Sequence, residues 1–147
     1  MLSNASKENA QFRQAVGQLT YYGGVKLKRD MDLIRKILFA IRNCPKPYGP
    51  QDTLALEGYT DEVISYHIKL LVQAGLIEGH DASGGEVLQW YAGALRWEGH
   101  EFLDAVEDDT RWNTIKKFVV DKTGGLTFEA LKIALTKHIK NQLFPGS

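Results

Sequence analysis

The sequence predicts a mainly α-helical domain with a small β-hairpin, an α+β fold, and three observations support this prediction. Apolar residues recur at three- and four-residue steps between Thr60 and Gly75, which indicates a helix. Gly75 is followed at once by Leu76 and Ile77, so this helix passes directly into an extended segment. Helical periodicity is also found on both sides, at residues 30–43, 97–107, 110–123 and 127–143.

The helix after Thr60 has two distinct sides. Thr60 can cap its first N–H groups, and Asp61 and Glu62 place negative charge at the positive end of its dipole. At about 100° per residue, the predicted inward side consists of Val63, Ile64, His67, Ile68, Leu70, Leu71 and Ala74. The predicted solvent side consists of Asp61, Glu62, Ser65, Tyr66, Lys69, Val72 and Gln73. Gly75 can take the left-handed conformation that ends a helix.

The N-terminal segment, residues 1–24, is polar and has few apolar positions at helical spacing. A short helix and a disordered arm are both compatible with it. A third alternative is that native translation starts at Val25, because a GTG start codon would be read internally as valine. Residues 1–24 are therefore predicted to be an N-terminal arm that is separate from the domain that follows.

The first core helix is predicted over residues 30–43. Its repeating apolar positions are Met31, Ile34, Ile37, Leu38 and Ile41. Pro45 ends it, since the residue before a proline disfavours α geometry. Residues 53–56 are predicted as a short strand, and any helix between the first and the central helix is expected to be missing or reduced.

The spacing after Ile77 predicts a hairpin and three further helices. Strands at 76–80 and 87–91 flank a turn at 81–85, and residues 91–95 continue or close the second strand. Asp109 or Thr110 is expected to cap the helix that starts near residue 110. The apolar stripes of the first two helices are Trp97, Phe102, Leu103 and Val106, then Trp112, Ile115, Phe118 and Val119. The last helix carries a long apolar seam, Phe128, Leu131, Leu135, Ile139 and Leu143, which packs on the first helix or across a dimer.

A capped helix that runs through a glycine into a hairpin is typical of a winged helix-turn-helix domain. We predict this domain over residues 25–109, with residues 110–147 as a helical extension that packs on the core or forms a homodimer interface. The middle helix of the usual motif is missing or reduced. The predicted core residues are Ile34, Ile37, Leu38, Ile41, Ile64, Ile68, Leu71, Leu76, Leu103, Trp112 and Ile115.

Two family resemblances are carried by these residues. The pattern Ser65-x-His67-Ile68-x-x-Leu71-x-x-Ala74-Gly75-Leu76-Ile77 resembles the recognition helix and wing of bacterial winged-helix repressors, notably the arsenical-resistance class. With the blocks 28–34, 57–59, 97–103 and 108–112, the chain is similar to a family of short bacterial and phage proteins defined only as a domain of unknown function. That similarity runs roughly from Lys28 to Leu143 and implies a phage or prophage setting.

Composition favours a soluble cytoplasmic protein. The apolar fraction is 44%, the charged fraction is 24%, and no apolar run is long enough to span a membrane. The single cysteine, Cys44, cannot form an internal disulfide. The zero net charge hides a division, because residues 1–51 carry +6, residues 52–109 carry −11 and residues 110–147 carry +5.

The motifs of catalysis and metal binding are absent from the sequence. The chain has no nucleophile elbow and no phosphate-binding glycine loop. Its four histidines lack zinc-ligand spacing, and His67 is expected to be a core or boundary residue. We therefore predict no enzyme activity, no metal and no cofactor.

Two functions remain open. The first is DNA binding, with nucleic-acid contacts from Lys26, Lys28, Arg29, Arg35, Lys36, Ser65, Tyr66 and Lys69. The C-terminal lysines Lys116, Lys117, Lys132, Lys137 and Lys140 could form a second basic patch. The alternative is a protein-interaction module that holds a basic partner on an acidic surface formed by Glu78, Asp81, Glu86 and Trp90. DNA binding is placed first because winged-helix domains often bind DNA, although the acidic residues in the middle of the chain would repel the phosphates.

Overall fold

The computed structural model describes residues 20–22 and 25–146. The described elements, in chain order, are β1 (Thr20–Tyr22), β2 (Val25–Leu27), α1 (Met31–Arg42), α2 (Asp61–Gln73), β3 (Ile77–Asp81), β4 (Trp90–Leu95), α3 (Trp97–Val106), α4 (Asp109–Thr123) and α5 (Phe128–Leu143). The strands form two antiparallel pairs, β1 with β2 and β3 with β4. The predicted α+β class, rich in helix with small antiparallel sheets, is confirmed. The predicted arm lies outside the described residues except for β1.

Helix α1 forms where the sequence predicts the first core helix. The Asp30 side chain accepts hydrogen bonds from the backbone N–H groups of Asp32, at 2.9 Å, and Leu33, at 3.2 Å. This cap satisfies donors that the first turn leaves without a partner in the helix. The helix ends at Arg42, before the proline-containing loop.

Helix α2 begins and ends as predicted. The Thr60 hydroxyl accepts from the Val63 N–H at 3.3 Å. At the other end Gly75 has a φ of +77°, and the Leu76 N–H donates to the Leu71 carbonyl at 3.0 Å. These bonds close a Schellman motif, which turns the chain from the helix into β3.

The loop between α1 and α2 contains no helix, as predicted, but the expected strand at 53–56 is wrong. The loop instead contacts β4 through Gln51, whose N–H donates to the Ala92 carbonyl at 2.8 Å, and through the Asp52 backbone carbonyl, which accepts from the Ala92 N–H at 3.1 Å. Gln51 has a φ of +55°, and the loop forms one isolated bridge with β4, between Asp52 and Ala92. The loop passes close to β4 because Gly49 lies directly against Gly93.

The β3–β4 hairpin packs on α2, and its second strand starts later than predicted. Asp81 pairs with Trp90 and Ile77 with Leu95, with a register shift between Ile77 and Gly79. The expected strand 87–91 is displaced to Trp90–Leu95 because Gly84 pairs with Val87 in a tight turn. Residues 82–89 therefore form the connection, and the expected continuation into 91–95 is confirmed.

The last three helices form as predicted, with corrections at a cap and at two aromatic residues. Asp108 caps α4, rather than Asp109 or Thr110, because its side chain accepts from the Arg111 N–H at 2.7 Å. Trp97, expected to be buried, is 76% exposed, since it is the first residue of α3 and projects from the fold. Phe118 is 47% exposed because Trp112, Ile115 and Val119 already occupy the inward side of α4. Leu143 is 68% exposed at the end of α5.

The core lies between α1, α2, the β3–β4 hairpin, α3, the inward side of α4 and the first half of α5. All eleven residues predicted for the core are buried, each no more than 5% exposed. The indole of Trp112 is buried in this core, and its Nε1 donates a hydrogen bond to the Asp32 carboxylate of α1 at 2.8 Å. Within the described residues, no helix is long and apolar enough to cross a membrane.

Candidate interaction surfaces

The side of α2 that was expected to face DNA is partly occupied by the fold itself. Ser65 is only 2% exposed, and its hydroxyl accepts from the Trp90 backbone N–H at 3.1 Å. The prediction that Ser65 contacts nucleic acid is therefore wrong, because the hairpin packs over that side of the helix. Tyr66 and Lys69 are half-buried and remain accessible. Lys69 is the one cation on α2.

The basic residues near the N-terminus do not form the continuous patch that was predicted. Lys28 and Lys36 are exposed and Arg29 is half-buried. Arg35 is unavailable as a phosphate ligand, because its guanidinium donates to the Val106 carbonyl at 2.7 Å and pairs with Asp109 at 2.7 Å. Lys26 lies in β2, and its side chain is outside the described part of the structure.

Arg35 instead joins α1 to the junction between α3 and α4. Its second contact there is the Glu107 carbonyl, at 2.9 Å. Arg42 adds ion pairs to Glu107 at 3.1 Å and to Asp104 at 3.8 Å. These arginines therefore hold neighbouring elements together, which the sequence alone did not indicate.

The C-terminal lysines are divided in the same way. The Lys116 ammonium donates to the Asp32 carboxylate at 2.7 Å, and it lies 5.3 Å from the Trp112 ring centroid. Burial opposes the ionisation of Asp32, but the bonds from Lys116 and Trp112 outweigh it, so the pKa of Asp32 lies below its usual value of 3.8. The other lysines predicted for this patch remain exposed, namely Lys117, Lys132, Lys137 and Lys140.

The acidic middle of the chain is exposed and mostly unpaired. Residues 52–109 hold thirteen acidic side chains against Lys69 and Arg96. Three of the acids form ion pairs with α1, and the other ten form none with the described residues. Twelve of the thirteen are exposed, and Glu62 is half-buried. The negative charge is therefore presented to solvent, where it repels phosphate.

The three acidic residues and the tryptophan of the predicted hairpin surface differ in exposure. Glu78, Asp81 and Glu86 are exposed. Hydrogen bonding from Ser83, whose backbone N–H donates to the Asp81 carboxylate at 2.8 Å, lowers the pKa of that carboxyl. Trp90 is only half exposed, because its ring packs against the core. Only part of the Trp90 side chain is therefore accessible on this surface.

A groove that the sequence analysis did not anticipate runs between α3 and α5. Its volume is about 650 Å³, within the range of pockets that accept ligands. Apolar side chains line its floor, namely Leu76, Phe102, Phe128, Leu135, Ile139 and Leu143. Glu98, Glu101 and Asp104 follow one edge, and Arg111 and Lys132 lie on the other.

The groove could have been suspected from one signal. Glu98, Glu101 and Asp104 recur every three residues, on a different side of α3 from Leu103 and Val106. That spacing indicates an acidic edge on a helix. The apolar seam of α5 that completes the groove lies about thirty residues further along the chain, and only the packed fold brings the two together.

His67, expected to be a core or boundary residue, has a structural role. It is 0% exposed, its Nε2 accepts from the Asp30 N–H at 2.8 Å, and its Nδ1 lies 2.7 Å from the Val63 carbonyl. These partners require the neutral tautomer with the proton on Nδ1. The expectation of a satisfied core histidine is confirmed. Among the described residues, no three His, Cys, Asp or Glu side chains are grouped to hold a metal ion.

These observations define an α-rich α+β domain whose distinctive surfaces are a charged hairpin and an apolar groove. Residues 28–125 match a family of hypothetical proteins, DUF2513. The chain belongs to this family, and the family resemblance expected from Lys28 is confirmed over that range.

A protein of Haemophilus influenzae described as uncharacterized is 39% identical over 106 residues, which cover 72% of this chain and 90% of that protein. No solved structure matches the chain. Neither the family description nor the relative's description names an activity.

Proposed function

We propose that this protein is a non-enzymatic interaction module on a winged-helix scaffold, and that its acidic middle region, residues 52–109, binds a basic protein partner. The observation that carries the proposal is the set of ten exposed or half-exposed carboxylates without an ion pair to the described residues. A surface of one sign attracts a partner of the opposite sign and speeds their encounter. The phage or prophage setting belongs to the same proposal and rests on the family resemblance alone.

DNA binding is the second candidate, favoured by the exposed lysines at both ends of the described chain. Lys28 and Lys36 lie near α1, and Lys137 and Lys140 lie on the outer side of α5. Helix α2, which corresponds to the helix that enters the groove in winged-helix repressors, carries a single cation, Lys69, and begins with Asp61 and Glu62. Because affinity for DNA depends chiefly on neutralising phosphates, this arrangement favours a basic protein over a duplex.

The test compares two fluorescent probes by anisotropy, a lysine-rich peptide and a random duplex of about 20 base pairs, at about 50 and 200 mM salt. The peptide is expected to bind at low salt and to weaken as salt increases, while the duplex binds less tightly. Glu78→Gln with Glu86→Gln, or Glu98→Gln with Glu101→Gln, should weaken peptide binding. The matched control is Asp121→Asn with Glu129→Gln, which changes the net charge equally outside the middle region.

Tighter binding of the duplex than of the peptide would overturn the proposal. Equal losses in the control and in both middle-region pairs would also overturn it, because net charge alone would then explain the binding. If the duplex binds and Lys28→Glu with Arg29→Glu reduces its affinity more than Lys69→Glu does, the basic ends are the DNA contact. If Lys69→Glu instead reduces the affinity for the duplex more than the other pair does, α2 is the DNA contact.

A further inference from the structure

We propose that the groove between α3 and α5 binds an amphipathic helix of a partner protein, with Lys or Arg along one edge of that helix. This inference rests on the proposed function and names the part of the acidic region that contacts the partner. It follows from an apolar seam that the fold covers only in part, together with charges of opposite sign on the two edges of the groove.

The incomplete cover is visible along α5. Leu131 and Leu135 are buried, Ile139 is half-buried and Leu143 is 68% exposed. The seam thus continues for two turns beyond the point where the described chain covers it. Phe102 and Phe128, whose ring centroids are 5.0 Å apart, close the buried end of the groove. An apolar helix face laid along α5 would remove this remaining surface from water.

The acidic edge selects the charge of the partner. Glu98, Glu101 and Asp104 recur every three residues, so successive carboxylates are separated by about 4.5 Å along α3. Lys or Arg at successive turns of a partner helix repeat at about 5.4 Å, which is close enough to follow this edge. Glu98 and Glu101 form no ion pair with the described residues and are free to accept such contacts.

The opposite edge gives the partner an orientation. Lys132 and Arg111 line that side, and Arg111 also donates to Gln142 at 3.4 Å. A helix with cations on both edges would meet repulsion there, whereas one with cations on a single edge and polar or acidic residues on the other fits both sides. A uniformly basic segment, or a phosphate backbone, is therefore a poorer occupant.

The experiment uses the full chain and three labelled peptides of equal length. The first places Leu at helical spacing with Lys along one edge, the second has the same composition in scrambled order, and the third has Glu in place of Lys. We expect the first peptide to bind at least about tenfold more tightly than either of the others, because only it presents both an apolar stripe and a basic edge.

Matched variants of α5 locate the contact. Leu143→Ser should weaken binding of the first peptide by about fivefold to tenfold. Ile133→Ser is the control, because Ile133 is 63% exposed on the same helix and does not line the groove. Glu98→Gln with Glu101→Gln should weaken binding by about twofold to fivefold, since such edge charges contribute less than apolar anchors.

The outcomes separate this inference from the proposed function. If no basic peptide binds at low salt, the proposed function fails and the groove inference fails with it. If the scrambled and ordered peptides bind equally and Leu143→Ser has no effect, the groove inference is overturned while the basic-partner function stands. If Leu143→Ser instead dissociates a dimer in sedimentation equilibrium, a second copy of this chain occupies the groove and the inference is also overturned.

Discussion

Helices α2 and α5 are both amphipathic, yet the buried stripe of α2 extends over most of the helix, whereas that of α5 stops halfway. Ile64, Ile68 and Leu71 of α2 are each no more than 2% exposed, because α1 packs on one side of the helix and the β3–β4 hairpin on the other. In α5 burial is complete at Leu131 and is lost by Leu143. The difference separates a helix that forms the core from one whose second half remains available for contact.

Leu71→Ala is expected to give the largest loss of stability. Removing a fully buried leucine side chain leaves a cavity, and the free energy of unfolding should fall by about 2–5 kcal/mol. The matched substitution Leu143→Ala should cost less than about 0.5 kcal/mol, since that side chain is mostly exposed. Urea unfolding of both variants measures the contrast. A loss under about 1 kcal/mol for Leu71→Ala would show that the covered side of α2 is assigned wrongly.

Gly99→Ala tests the contact that holds α3 against the α2–β3 junction. A Cβ added at Gly99 would lie 2.1 Å from the Leu76 carbonyl oxygen, which already accepts the Arg96 N–H at 2.9 Å. Alanine favours a helix over glycine, but overlap with a backbone atom outweighs that gain, and we expect a net loss of about 1–3 kcal/mol.

Gly84→Ala provides the control for this substitution. An added Cβ at Gly84 meets nothing within 4 Å. The thermal midpoint should therefore fall for Gly99→Ala and stay close to that of the parent for Gly84→Ala. A gain in stability at Gly99 would mean that α3 lies further from Leu76 than the structure places it.

Local sequence rules predict the core and most helix ends well. Thr60 and Gly75 act at the positions expected for them, since capping depends on neighbours within a few residues. Ser65 and Trp97 show where those rules end. A helical wheel places Ser65 in solvent because it does not include the hairpin, and it places Trp97 in an apolar stripe because it does not show where α3 begins.

The candidate groove could not be predicted for the same reason. Its two edges come from α3 and from residues of α4 and α5, so the site exists only after long-range packing. The ion pairs of Arg35 and Arg42 are long-range as well, which is why the basic patch expected near α1 is smaller than the charge count suggests. Charge counts along the chain predict which regions repel phosphate, but they do not predict which cations are already paired.

The smallest expected effect is at His67, and it depends on pH. Burial lowers the pKa of His67 below its usual value of 6.5, although the Val63 carbonyl and the nearby Asp30 favour protonation and Arg29 opposes it. The unfolded chain therefore binds a proton more readily than the folded chain does. The stability from this site is fully present above pH 6.5 and is lost progressively as the pH falls below it. A proton on Nε2 would also break its bond to the Asp30 N–H at the start of α1.

Urea midpoints at about pH 7.5 and about pH 5.5 test this, because His67→Gln should lose less stability between these two pH values than the parent does. His100→Gln is the control, since it replaces an exposed histidine instead of the buried one. Equal losses for the parent and His67→Gln would place the titrating group elsewhere and make the junction between α1 and α2 insensitive to protonation.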